Sequence, residues 1–163
     1  MLTTTISATE ALFRAEPEKA RSKPTVTATL ANGHARLSAG AFNWDADLPT
    51  VLGGSNLSPS PTAYLLGALA GCAVAFLRDT LAPQFGVEID DATAVASAAS
   101  DLRGLVAIEG AIPDLTDLAL DIRVSTSSPA DRVAAMFDAW RDRCPIYLAL
   151  LKPNEIALTT SIA

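Results

Sequence analysis

The chain has 163 residues; half of them are apolar, 18% are charged, and the net charge is −6. This composition predicts a single folded domain with a sizeable core and argues against an intrinsically disordered chain. Because the balance is acidic and no basic stripe is present, nucleic acids and anionic membrane surfaces are poor partners.

The first 23 residues are charged and rich in Ala, which predicts a short helix or an arm. They lack the basic start and the following apolar stretch of a secretory signal, so we expect a cytoplasmic protein. Two cysteines in a reducing compartment do not predict a structural disulfide, but they leave redox chemistry open.

A small antiparallel sheet is predicted next. Apolar residues alternate with period two on both sides of Asn32-Gly33, and this dipeptide is a strong hairpin signal because both residues tolerate positive φ. The predicted strands are residues 25–31, residues 34–39 and the stretch AFNWDAD, residues 41–47.

Residues 48–61 form a predicted loop that is rich in Gly, Ser and Pro. The loop leads into an apolar helix, with Ser60 as the expected N-cap and Pro61 as the first helical residue. We expect this helix to end at about Leu81, because Pro83 limits its continuation. Its longest apolar run covers about 15 residues, fewer than the ~20 of a membrane span, so a buried helix is predicted.

A stripe of small residues follows one side of this helix, where Gly67, Gly71 and Ala75 are spaced by four. Each glycine inside a helix costs about 1 kcal/mol relative to Ala, so another backbone is expected to approach closely there. That backbone could belong to the same chain or to a second copy. The helix is apolar on all sides, which favours a homodimer.

The remaining chain predicts two more strands, at residues 92–101 and 117–126. An amphipathic helix to about Asp142 follows, with apolar residues at i, i+3, i+4 and i+7. The segment CPIYLALL begins at Cys144, and a last strand, EIALTTSIA, is predicted at the end of the chain. This order of elements predicts an α+β fold with antiparallel pairing.

The two cysteines are the candidate reactive groups, and each has a purely structural interpretation. Cys72 lies among apolar residues, where a free cysteine often fills core space and where burial raises the pKa of a thiol. Cys144 precedes Pro145 and is predicted to occupy a helix N-cap, a position that favours a thiolate. From the residues alone, Cys144 could equally be an ordinary connector.

Other residues carry weaker signals. His34, the single histidine, follows the hairpin turn, where a solvated role is the usual one. The Gly53-Gly54 pair has no nucleotide-binding context, and Trp44 and Trp140 are interpreted as packing residues. Neither cysteine has a His or Cys at metal spacing, so we expect no zinc site and no cofactor.

Three stretches together resemble one known family. These are GGSNLSPSPTAYLLGALAGC (residues 53–72), the Cys-Pro element CPIYLALL, and the ending EIALTTSIA. They are similar to the OsmC-like family, which includes the organic hydroperoxide resistance proteins. The resemblance implies a single OsmC-like domain over 1–163, made of an N-terminal arm (1–23), an N-terminal β part (25–47) and a helix-containing α+β part (60–163).

The resemblance also implies a quaternary structure and a chemistry. Antiparallel sheets would wrap around two central helices in an intertwined homodimer, with the sites at the subunit interface. The better-known relatives are thiol peroxidases that act in oxidative stress. Cys72 would then attack the peroxide, Cys144 would resolve the sulfenic acid to a disulfide, and an external dithiol would reduce that disulfide.

In the family, an arginine near the sulfur is held by a glutamate that follows the helix-entry proline. Here that position is Thr62. Arg36, on the second strand of the hairpin, is the best candidate for the arginine, and Arg14 and Arg21 are weaker ones. The sequence thus predicts a peroxidase for small organic hydroperoxides. The alternative is an OsmC-fold dimer that binds a small apolar ligand or a partner and has little or no peroxidase activity.

Overall fold

The computed structural model describes residues 2–162. Its helices are α1 (Leu2–Ala15), α2 (Pro61–Phe76), α3 (Ala82–Phe85), α4 (Leu102–Leu105), α5 (Ala130–Arg143) and α6 (Pro145–Leu151). Its strands are β1 (Thr27–Ala31), β2 (His34–Ala39), β3 (Phe42–Ala46), β4 (Asp91–Ala99) and β5 (Thr116–Ser125). The fold is α+β, and both sheets are antiparallel, as predicted.

The N-terminal sheet has the strand order β1-β2-β3. Asn32 (φ 51°) and Gly33 (φ 82°) form its first turn, which confirms the hairpin prediction. Within the described residues, these strands pack mainly with one another. One hydrogen bond, from the Tyr64 hydroxyl to the Asp45 carbonyl (2.6 Å), joins them to the helix that follows.

The apolar helix begins as predicted, because the Ser60 hydroxyl accepts a hydrogen bond from the Ala63 N–H and Pro61 is the first helical residue. The prediction that it ends at about Leu81 is wrong. A π turn, Leu77–Leu81, joins α2 to α3, so one central helix runs continuously over Pro61–Phe85. The π turn changes the hydrogen-bond register just before Pro83, where an N–H is missing, and Gly86 (φ 60°) ends the helix instead.

The second sheet pairs β4 with β5, and its inner face packs against the central helix. Helix α5 covers the π turn, and α6 crosses next to α2. The side chains that these elements enclose form one core cluster: Ala73, Leu77, Leu81, Ala82, Val87, Met136, Ala139, Trp140 and Cys144. Trp140 also packs against Tyr147, with ring centroids 5.2 Å apart, so it is a packing residue as predicted.

The predicted last strand is not a strand in the single chain. Residues 153–162 have no regular structure and are exposed, with Ile156 and Leu158 at 89% and 84% of full exposure. A strand needs a neighbour to accept its hydrogen bonds, and no edge strand lies beside this segment within the described chain. Ala163 lies outside the described residues.

Candidate active site

The two cysteines meet although 72 positions separate them in the sequence. Cys72 lies on α2, and Cys144 joins the end of α5 to the start of α6. Cys144 donates its S–H to the Cys72 sulfur, and the two Sγ atoms are 3.1 Å apart. Both thiols are free; Cys144 is fully enclosed and Cys72 is half-buried. The pair therefore has one sulfur within reach of solvent and one inside the core.

Local sequence fixes the position of Cys144. Pro145 begins α6 and Cys144 is its N-cap, as predicted, while the Cys144 N–H donates to the Trp140 carbonyl (2.8 Å) at the end of α5. Since Pro145 has no N–H, the first free donor of α6 is the Ile146 N–H. This group donates to the Cys72 sulfur.

Burial first, and then the neighbouring Cys144, raise the pKa of the Cys72 thiol to about 11. The hydrogen bond from the Ile146 N–H acts in the opposite direction but is the weaker influence. Because pH 7 lies well below this pKa, Cys72 in a single chain is predominantly a neutral thiol.

Arg36 pairs with a carboxylate and is not among the groups that shift the pKa of Cys72 within the described chain. Its guanidinium Nη1 lies 3.0 and 3.1 Å from the two carboxylate oxygens of Asp45, its cross-strand neighbour on β3. The imidazole of His34 is 3.6 Å from the same carboxylate. Arg14 and Arg21 are exposed, and neither is among the groups that shift the pKa of Cys72 within the described chain.

Thr62 is exposed at the start of α2. Asp45, rather than a residue at position 62, is the carboxylate that holds Arg36. Its backbone carbonyl also accepts the hydrogen bond from Tyr64 on the central helix. Sequence reasoning missed Asp45, for which the predicted third strand next to the hairpin was the available signal.

A second carboxylate, Asp47, organises the loop that enters the central helix. It is buried (7% exposed) and accepts hydrogen bonds from the backbone N–H groups of Leu48 (2.8 Å), Ser55 (3.1 Å) and Leu57 (3.1 Å). These bonds, that of Leu57 first, lower the pKa of Asp47. The loop is also tight at Gly54, where a Cβ would lie 2.0 Å from the Leu48 carbonyl oxygen. An Asp at the start of a Gly/Ser/Pro loop was the available signal.

An apolar groove of about 250 Å³ is lined in part by α2 and α6, the helices at the two cysteines, although neither cysteine lines it. Leu69 lies three residues before Cys72, and Tyr147 three residues after Cys144, so one turn of helix separates the groove from each sulfur. The lining side chains are Leu69, Leu118, Ala119, Leu120, Tyr147, Leu150 and Leu151. Within residues 2–162, no group of three or more His, Cys, Asp or Glu side chains gathers to hold a metal ion.

An α+β chain with an apolar central helix and a dithiol between that helix and a Cys-Pro helix start is typical of the OsmC-like fold. The sequence profile described as "OsmC-like protein" matches residues 53–159. The chain belongs to the OsmC-like family. No curated protein matches the chain significantly.

Solved structures with the same fold include an OsmC-like protein from Mycoplasma pneumoniae, at 19% identity and a TM-score of 0.66, covering 80% of this chain and 88% of that one. An organic hydroperoxide resistance protein OsmC from Legionella pneumophila has 16% identity and a TM-score of 0.58, with 79% and 89% covered. The organic hydroperoxide resistance protein from Elizabethkingia anophelis has 16% identity and a TM-score of 0.59, with 79% and 88% covered.

The apolar composition of the central helix has two interpretations. By length and composition, Pro61–Phe85 could cross a membrane, and 28% of its most apolar stretch is buried within the chain. A core helix of a soluble protein has the same composition, and OsmC-like proteins are soluble.

Proposed function

We propose that this protein is a thiol-dependent peroxidase that reduces organic hydroperoxides with Cys72 as nucleophile and Cys144 as resolving thiol. The observation that carries the proposal is the 3.1 Å separation of two free sulfurs. Cys72 is assigned as the nucleophile because it is half-buried whereas Cys144 is fully enclosed, and because the hydrogen bond from the Ile146 N–H acts to lower the pKa of Cys72. The hydroperoxide resistance proteins among the structural neighbours support this assignment.

The proposed cycle has three steps. The Cys72 thiolate attacks the outer peroxide oxygen, the O–O bond breaks, and an alcohol leaves after taking up a proton. Cys144 then attacks the sulfenic acid on Cys72, forming the disulfide and releasing water. An external dithiol reduces the disulfide and leaves both thiols free. The apolar groove favours organic hydroperoxides over hydrogen peroxide.

We propose further that the active unit is an intertwined homodimer in the cytoplasm. The single chain exposes 11803 Å², whereas a compact monomer of 16.9 kDa exposes about 7,700 Å². The excess is about 4,000 Å² per chain, or about 8,000 Å² for two chains, which is at least as large as the interfaces of obligate dimers. In addition, a Cβ at Gly67 or Gly71 would meet nothing within 4 Å in the single chain, so the neighbour that these glycines suit would belong to a second copy.

In the proposed dimer, the second copy would also supply a positive charge that lowers the pKa of Cys72. Arg36 is half exposed on a sheet that packs little against its own chain. In the proposed dimer, Arg36 of the second copy would face Cys72 and lower its pKa from about 11. We expect Arg36→Gln to raise the pH midpoint of Cys72 alkylation, with Arg123→Gln, an exposed arginine on the other sheet, as the control. An unchanged midpoint in Arg36→Gln would remove Arg36 from the site.

The central experiment adds cumene hydroperoxide to the reduced protein and follows both thiols by mass spectrometry. We expect one disulfide per chain in the wild type, an accumulating sulfenic acid on Cys72 in Cys144→Ser, and no reaction in Cys72→Ser. If both wild-type thiols persist at a stoichiometric dose, the peroxidase proposal fails.

Three observations favour a second candidate, an OsmC-fold dimer that binds a small apolar ligand or partner and has little peroxidase activity. The pKa of Cys72 is raised, and Thr62 replaces the carboxylate that the family places there, while the apolar groove remains. Native mass spectrometry of the freshly purified protein tests it. A retained apolar ligand together with slow peroxide reaction would support this candidate, and rapid formation of a Cys72 sulfenic acid would exclude it.

A further inference from the structure

The geometry of the thiol pair suits the binding of an atom by both sulfurs as well as the formation of a disulfide. Two free sulfurs lie 3.1 Å apart, and no His, Cys, Asp or Glu within the described chain adds a third ligand. Zinc prefers four protein ligands in a tetrahedron, so this pair is a poor zinc site. The pair therefore supplies two soft donors, and only two, to any bound atom.

The distance between the two sulfurs also indicates which coordination geometry a bound thiophilic atom would have. A linear two-coordinate ion separates its sulfurs by two bond lengths, about 4.6 Å if the bond to sulfur is ~2.3 Å, as thiolates form with zinc. A pyramidal centre with angles near 90° holds them about 3.3 Å apart at the same bond length. The observed 3.1 Å is close to the pyramidal value.

A pyramidal centre with two protein sulfurs needs a third substituent of its own. The side chains one turn away, Leu69 and Tyr147, line an apolar groove. A hydrocarbon or aryl group suits these surroundings, whereas a charged or strongly hydrated one does not. Trivalent arsenic that carries one organic group meets the three requirements of thiophilicity, pyramidal shape and one apolar substituent.

We propose that Cys72 and Cys144 bind monosubstituted trivalent arsenic as a chelating dithiol, with the organic group directed to the groove. Two As–S bonds form and two As–OH bonds break, and the two thiol protons leave with the hydroxyls as two waters. No oxidation state changes, so the binding needs no reductant or oxidant. Half-buried Cys72 reacts first, and the enclosed Cys144 closes the chelate.

Phenylarsine oxide is the probe, added to the reduced full-length protein and followed by intact mass. We expect an adduct of one phenylarsenic group per chain, with a mass two hydrogens below the sum of the reduced chain and that group. This adduct should survive a competing monothiol and should be removed by an excess of a small dithiol. Cys72→Ser and Cys144→Ser each leave only a monothiol adduct, which the competing monothiol removes. Arsenite, which lacks the organic group, should bind at least about tenfold more weakly.

Monothiol-resistant adducts in either serine variant, or equal affinity for arsenite, would overturn the proposal. If a serine variant fails to fold, wild type with both thiols alkylated replaces it, and any adduct on that protein contradicts chelation. The result is independent of peroxide chemistry. Chelation without peroxide-driven thiol loss would refute only the peroxidase, and the reverse outcome would refute only the arsenic site.

Discussion

A single chain encloses the surroundings of the thiol pair, whereas it leaves the N-terminal sheet largely exposed. Around the sulfurs, α5, α6 and the central helix enclose nine side chains in one cluster. The three-stranded sheet leaves Leu30 and Phe42 at 86% and 75% of full exposure, and residues 153–162 extend beside no strand. The difference indicates that a single chain is sufficient to bring the dithiol together, whereas the sheet and the C-terminal segment have the surfaces of an interface.

The largest expected effect is in the enclosed region. Leu77→Ala removes a fully buried side chain at the π turn and should lower the free energy of unfolding by about 3 kcal/mol. Urea denaturation measures it, with Val95→Ala, which is 58% exposed on β4, as the matched control. A loss below about 1 kcal/mol would show that this core is not as tightly packed as described.

The next effect tests the exposed region. Leu30→Asp should raise the dimer dissociation constant by about tenfold or more, because an apolar contact would be replaced by a buried charge. Sedimentation across a concentration series measures it. Thr93→Asp, on the polar face of the other sheet, should leave the dissociation constant unchanged. If Leu30→Asp behaves like that control, the sheet is not part of an interface.

A third change should have opposite effects on the stability of the isolated chain and on its association into a dimer. Gly67→Ala should stabilise an isolated chain by about 1 kcal/mol, since the helix gains propensity and the added Cβ meets nothing within 4 Å. In a dimer with close helix contact, the same Cβ should weaken association. Unfolding measured above and below the dissociation constant reveals both signs, and a gain in stability at every concentration would contradict close helix contact.

The smallest expected effect concerns the loop between the two regions. The pKa of Asp47 is lowered from 3.8, so its contribution to stability is present above that pH and is lost as the pH falls through the folded-state pKa. Asp47→Asn should thus be less stable than wild type at pH 7, and the difference should shrink below about pH 4. Asp114→Asn, at an exposed position, serves as the control. A difference that does not change with pH would show that the charge is unimportant.

Local rules accounted for much of the fold. Asn32-Gly33 fixes the hairpin through positive φ, and Ser60-Pro61 and Cys144-Pro145 mark helix starts through caps and a missing N–H. These signals act within a few residues, so the sequence was sufficient to predict them.

The features that the sequence did not predict depend on contacts between distant segments. Leu48, Ser55 and Leu57 must fold back before Asp47 becomes a buried acceptor. The 3.1 Å approach of the sulfurs depends on how α5 and α6 pack against the central helix, and spacing along the chain does not specify it. A last strand was predicted from the stretch EIALTTSIA and its likeness to the family's last strand, and neither says where its neighbouring strand lies.

The π turn changes the direction in which the side chains after it point around the axis of the central helix. Ala73, Leu77 and Leu81 are spaced by four and are all fully enclosed. In a regular α-helix, each such step rotates the row by about 40° around the axis, so the third residue would drift from the partner that the first one contacts. The wider π turn reverses part of this rotation. The extra backbone between Leu77 and Leu81 thus works as a phase correction, which keeps Leu81 on the enclosed side of the helix.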